Sequence, residues 1–106
     1  MAWTDRFVAS DAAGGDGLTA LTPWTLSEAI ANAAAGMRFN VKAGTYANTT
    51  TSRTLAAVGT AIAPILWEGY VTTPGDICGR VGVAANNSLT KPTITFTTGQ
   101  LIVSGA

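Results

Sequence analysis

The sequence predicts an all-β chain whose short strands follow one another as the coils of a solenoid, with one capping α-helix near the start, at about residues 26–35. Three observations lead there. Strands of about five residues recur along the chain, separated by turns and longer loops. One stretch alone has convincing helical periodicity. A stack of coiled strands exposes unpaired backbone and an open apolar core at its end, and a single amphipathic helix is a fitting lid for it. No exact repeat is visible, and a two-layer β-sandwich shares much of the strand pattern.

Taken in order, "RFVA" (Arg6 to Ala9) reads as a short strand with Phe7 and Ala9 on one face. "SDAAGGDGLTALT" is small, polar and glycine-rich, and reads as a loop. Thr25 then stands as an N-cap with Glu28 three positions later, the spacing at which each side chain satisfies a backbone N–H that the helix leaves orphaned. Trp24 is placed to pack back over the first turn. Leu26, Ile30 and Ala33 form one apolar stripe, and Gly36 sits where a left-handed terminal residue is wanted. So short a helix is below the roughly 12–15 residues that are marginal alone in water, so it must dock.

After Gly36 the period changes to two. Met37, Phe39 and Val41 point to a dry face, and Arg38, Asn40 and Lys42 to a wet one. "AGTY" turns the chain and returns Tyr46 to the core. "TSRTLAAV" reads as a strand, with a helical turn at "LAAVG" as the alternative. "PILWEGY" is a strand with Ile65 and Trp67 on one face and Leu66 and Glu68 on the other. Pro74-Gly75 centres a turn in "TTPGDICG", and "VGVAANNSLTKP" is mostly loop. "TITFTT" alternates again with Ile94 and Phe96 inward, Gly99 breaks it, and "LIVSG" is a last strand.

Composition restricts function. At 106 residues the chain is a single domain, here an N-terminal strand and cap helix (1–36) followed by the first rungs (37–106). Net charge is zero with 11% charged residues, which lacks the basic footprint of a nucleic-acid binder. A hydrophobic share of 47% argues against disorder. No apolar run approaches the roughly 20 residues of a membrane span, and no basic-then-apolar leader opens the chain. Cys78 is the sole cysteine, so no internal disulfide forms, consistent with synthesis in a reducing cytosol. There is no histidine, the commonest general base and metal ligand.

"DGLTALTPWTLSEAIANAAAGMRFNVKAGTY" resembles the N-terminal entry of right-handed parallel β-helix proteins of the pectate-lyase-like superfamily: a Gly/Asp loop, a capped helix with "EAI", a strand and "GTY". "PILWEGY" and "PGD" are similar to the first rung and turn of uncharacterised β-helix proteins of bacteriophages. The likeness spans roughly residues 5–104 and is specific for fold and weak for activity. It implies a right-handed parallel β-helix start, with the helix as plug and Met37–Lys42 as first inward-facing rung. It departs from full-length members in stopping after two or three rungs, with "LIVSGA" apolar and uncapped; the expectation is that the chain continues.

Asp11 and Asp16 flank two glycines and suit a hard cation, but the spacing matches no EF-hand and no bidentate Glu follows; a turn in which Asp caps its own backbone is preferred. "GGDG" is too far from the helix to cradle phosphate. Glu68, Asp76 and Arg80 are the nearest approach to a lytic or hydrolytic set, with Asp5 the remaining acid; the preferred roles are a solvated Glu68 and a turn-stabilising Asp76. Trp24 and Trp67 read as core, leaving Trp3 as the aromatic candidate for a partner. Cys78 lacks neighbours that would activate it, and Thr49 to Thr51 read as a solvated loop. No catalytic constellation, metal or cofactor is expected.

The resemblance and composition together imply a bacteriophage virion structural protein (fibre, spike or decoration protein), made in the host cytoplasm and serving as a rigid stalk or attachment module. Its partners would be other copies, as a homotrimer, other virion proteins and a surface glycan. The alternatives are the cap of a polysaccharide lyase or hydrolase with catalytic rungs downstream, and a secreted extracellular adhesin.

Overall fold

A computed structural model describes residues 3–48, 53–56, 64–77, 82–85, 93–96 and 101–104. Its elements are β1 (Thr4–Val8), α1 (Leu26–Ala31), β2 (Met37–Lys42), β3 (Thr45–Asn48), β4 (Arg53–Ala56), β5 (Leu66–Tyr70), β6 (Thr93–Phe96) and β7 (Leu101–Ser104). They form a three-stranded sheet in the order β1-β2-β5 and two strand pairs, β3-β6 and β4-β7. Every one of these ladders is parallel. The strand Arg53–Ala56 lies within "TSRTLAAV", as expected, and includes Leu55 and Ala56 of "LAAVG", where a helical turn is the alternative; residues 57–63 lie outside the described set.

The pairing follows an order that the sequence conceals. β2, β3 and β4 each pair with the strand three places later: β5, β6 and β7. The offset is not constant. Arg38 pairs with Leu66, 28 positions on, whereas Thr45 pairs with Thr93 and Arg53 with Leu101, each 48 positions on. All of the difference falls between β5 and β6, where residues 71–92 stand in place of the two residues, 43 and 44, that join β2 to β3. An unequal offset of this kind cannot be found by a search at fixed period.

On β2 the inward position of Phe39 is as expected, but Asn40 on the opposite face is buried as well. Phe39 is fully buried and stacks on Trp67, its partner in register, with ring centroids 4.1 Å apart and planes 15° off parallel. The near-parallel stack follows from the ladder, since in-register side chains on neighbouring strands lie about 4.8 Å apart. Val8, Ala29, Phe39, Tyr46 and Ile65 form the core cluster, with Trp24, Leu26, Ala33, Met37, Val41 and Trp67 packed against it. Tyr46 is buried and donates its hydroxyl hydrogen toward the Lys42 carbonyl at 2.6 Å, with the Val8 carbonyl at 3.3 Å. Ile94 and Phe96 lie on β6; their side chains fall outside the described set.

Several expectations are corrected. The core residue of the first strand is Val8, not Phe7, which is only half-buried; Ala9 is buried as expected, just beyond the strand's end. The helix covers 26–31 rather than about 26–35. Its capping box is present, Glu28 N–H donating to Thr25 Oγ1 and Thr25 N–H to Glu28 Oε1. It stops at Asn32, whose side-chain amide and backbone N–H both donate to the Glu28 carbonyl. Asparagine competes for backbone groups in this way and favours helix ends. Gly36 is left-handed as expected (φ 81), but it serves the entry to β2, not the helix end. Ala29, not Ile30, is the helix residue in the core, and Ile30 is half-buried.

The edge of the sheet at β1 is closed by the loop before the helix rather than by the helix itself. Phe7 N–H donates to the Gly17 carbonyl, Trp24 N–H to the Phe7 carbonyl, and Ala9 N–H to the Trp24 carbonyl. Arg6 Nη1 donates to the Asp5 carbonyl at 2.8 Å. These bonds satisfy backbone groups that an edge strand otherwise leaves open for pairing.

Candidate functional site

The polar face of the three-stranded sheet brings together residues from three strands well separated in sequence. In register, Asp5 lies beside Arg38, and Asn40 lies between Phe7 and Glu68. Arg38 grips Asp5 with two parallel bonds, Nε to Oδ1 at 2.6 Å and Nη2 to Oδ2 at 2.9 Å. This fork is the strong geometry for guanidinium and carboxylate. Glu68 Oε2 lies 3.9 Å from Arg38 Nε, and the Arg38 guanidinium sits 6.0 Å from the Trp3 ring centre. Asn40, expected on a wet face, is only 1% exposed; its amide donates to Asp5 Oδ1 and the Arg6 carbonyl, as burial requires. The Glu68 side chain is 17% exposed, which corrects the expectation that it is solvated. Glu68 lies near Arg38, and Asp76 bonds within its own turn; Arg80 and Cys78 lie outside the described residues, as do Thr49 to Thr51.

Asp76 fulfils the turn role. It is 3% exposed, and its carboxylate accepts the backbone N–H of Val71 at 2.9 Å, Thr72 at 2.8 Å and Thr73 at 3.0 Å. Gly75 beside it has φ 88. Burying a carboxylate is costly unless hydrogen bonds replace its water, and three converging amides do so. Beyond this turn opens a cleft of about 600 Å³, lined by Thr72, Thr73, Asp76 and residues 82–85.

Asp16 also builds a turn. Its Oδ1 accepts Leu18 N–H at 3.0 Å and the Thr22 hydroxyl at 2.7 Å, and Thr22 Oγ1 lies 2.9 Å from Thr19 Oγ1. The Leu18 N–H and the Thr22 hydroxyl hold the Asp16 carboxyl below its ordinary value. Gly17 follows at φ 72 with its α-carbon against the Trp24 ring. Asp11 lies in a separate small cleft beside Lys42. Among the described residues no three His, Cys, Asp or Glu side chains gather as a metal site.

The sequence reading missed the Asp5–Arg38–Asn40–Glu68 network. Only the alternation of charged positions on β2 pointed to it, and without the register of β1 and β5 no partner could be assigned. No known protein family, curated protein or solved structure matches the chain.

Proposed function

We propose that this chain is a structural segment of a bacteriophage virion, a rigid parallel β-helical stalk or attachment module that assembles as a homotrimer with other virion proteins. The observation that carries this reading is the pairing of two successive sets of three strands, all parallel and in the same order. Among the described residues from β2 to β7 no helix stands between paired strands, and such ladders suit a chain winding into coils, because each return to the same sheet requires passage through the others. The bonds that Arg6, Gly17 and Trp24 make to the β1 edge are consistent with a terminal rung that must not recruit another strand. The polar network on the first sheet consists of residues already paired with one another, which suits a stiffening role better than catalysis.

Two measurements test the proposal. Light scattering on the full chain is expected to give three times the chain mass, and immunoelectron microscopy of phage particles from the source is expected to label the particle surface. A monomer in solution, or unlabelled particles with the chain only in the soluble fraction, would overturn it.

A further inference from the structure

We infer that the loop before the helix carries the contact between copies of this chain: Leu21 of one copy packs into the small cleft beside Lys42 on the next. The inference rests on the assembly proposed above for the number of copies, and deepens it by naming the surface that joins them.

The first support is a fixed apolar knob. Leu21 is 94% exposed and Leu18 53%, the large hydrophobic side chains left in water among the described residues. A single exposed leucine is ordinary. Leu21 differs because the turn that carries it is tied down. Thr22 N–H donates to the Thr19 carbonyl at 3.1 Å, the two threonine hydroxyls lie 2.9 Å apart, and Gly17 N–H donates to the Thr22 carbonyl at 2.8 Å. Gly15 sits so close beneath that a β-carbon there would fall 2.4 Å from the Thr22 carbonyl oxygen. A side chain held in place before contact loses little freedom on docking.

The second support is a receptor beside the knob. A cleft of about 240 Å³ opens next to Leu21, with walls from Ala9, Ala12, Ala13, Ala20 and Pro23. Its walls are small and apolar, and it falls below the roughly 300–1,000 Å³ of small-molecule sites. One branched aliphatic side chain suits it better than a ligand does.

The third support is charge, and it selects the occupant. Asp11 and Lys42 also line the cleft, and both are exposed. Among the described residues neither lies within ion-pair distance of another charged side chain. An apolar cleft with one anion and one cation on it is complementary to itself. About a symmetry axis, Lys42 of one copy can meet Asp11 of the next while the leucine enters the cleft. A partner of one charge sign would meet a like charge on this surface. A net charge of zero adds no long-range repulsion between copies.

The test is sedimentation of the full chain over a concentration series, with far-UV spectra to show that each variant is folded. Leu21→Asp is expected to weaken association by at least about tenfold, the effect of leaving one leucine in water and placing a charge in an apolar cleft. Asp11→Lys and Lys42→Glu should each weaken it as well, because each sets like charges against one another. The double variant, Asp11→Lys with Lys42→Glu, should return association to within about threefold of the parent, since the pair is reversed but again complementary. Unchanged association in Leu21→Asp, or a double variant no better than the single ones, would overturn the inference. A parent trimer that Leu21→Asp leaves trimeric sinks this surface and leaves the virion reading standing. A parent of two copies that Leu21→Asp splits sinks the trimer and leaves this surface standing. A parent that is monomeric at every concentration overturns both the surface and the trimer.

Discussion

The chain leaves its three-stranded sheet twice through a turn built on one aspartate, and the two turns are built in opposite ways. After β1, Asp16 lies on the surface and ties down Leu18 N–H and the Thr22 hydroxyl. After β5, Asp76 is buried and accepts three consecutive backbone N–H groups. The first loop gets its shape largely from glycine and tryptophan: Gly17 lies under the Trp24 ring, and Trp24 is itself paired to β1 through its backbone. The second turn gets its shape from a charge. An aspartate is therefore decisive where its carboxylate gathers several backbone N–H groups and accessory where packing already fixes the path.

The largest expected effect comes from Asp76→Ala. Each of three N–H groups left without an acceptor costs about 1–3 kcal/mol when buried, less where water can enter from the neighbouring cleft, so the loss should be about 3–4 kcal/mol. Urea unfolding followed by tryptophan fluorescence measures it. A loss no larger than that of the Asp16 variant would erase the contrast between the turns.

Gly17→Ala should come next. A β-carbon there would lie 2.5 Å from Trp24 Cδ2 and 2.8 Å from Cε2, with φ 72 adding strain. The ring cannot step aside freely, because Trp24 is bonded to Phe7 and Ala9 through its backbone. Left-handed strain and overpacking together put the cost at about 2–3 kcal/mol. The same unfolding experiment checks it, and an unchanged midpoint would mean that the loop is not fixed by this contact.

Both loops are felt by Tyr70. Burial raises its pKa above the ordinary 10.0, and Asp76 and then Asp11 add to the shift. Burial likewise raises Tyr46, with Tyr70 and Asp11 contributing. For a phenol whose folded-state pKa is raised, the unfolded chain ionises first, so its contribution is complete below pH 10.0 and is lost as pH rises through the folded-state value. Stability should therefore fall above pH 10, and Tyr70→Phe should reduce that slope while changing the neutral-pH value little. Equal alkaline slopes for parent and variant would show that Tyr70 does not carry the effect.

How much of this was legible depended on the range of the interaction. The capping box, the inward Phe39 of Met37–Lys42, the buried Tyr46 and the turn role of Asp76 all depend on residues a few positions apart, and the sequence displays them. The apolar stripe to Ala33 predicts a longer helix than forms, because Asn32 ends it by taking the Glu28 carbonyl. Asn40 was assigned to water because alternation specifies the face of a strand but not what its neighbours cover. The grip of Arg38 on Asp5 depends on the register Asp5↔Arg38 between strands with a loop and a helix between them, and no local pattern encodes that register. The order of strand pairing stayed hidden for the same reason: β2 pairs with β5 at an offset of 28 residues, but β3 with β6 and β4 with β7 at 48.

The smallest effect, and the sharpest check on the contrast, belongs to Asp16→Ala. The carboxylate is fully exposed, so water can replace it at Leu18 N–H, and Thr22 keeps Thr19 as a neighbour. Its path is held besides by Gly17 N–H donating to the Thr22 carbonyl at 2.8 Å, a bond the substitution leaves in place. Because hydrogen bonds from Leu18 and Thr22 depress the folded-state pKa below 3.8, the carboxylate's contribution is present above that value and disappears as pH falls through the depressed one. Parent and variant should thus differ slightly near neutrality, by less than either the Asp76 or the Gly17 variant, and converge in acid. Thermal midpoints compared at pH 7 and at successively lower pH decide it. A gap that persists or widens in acid would mean that the side chain acts through its shape and not its charge, and that the two aspartate turns are more alike than their burial suggests.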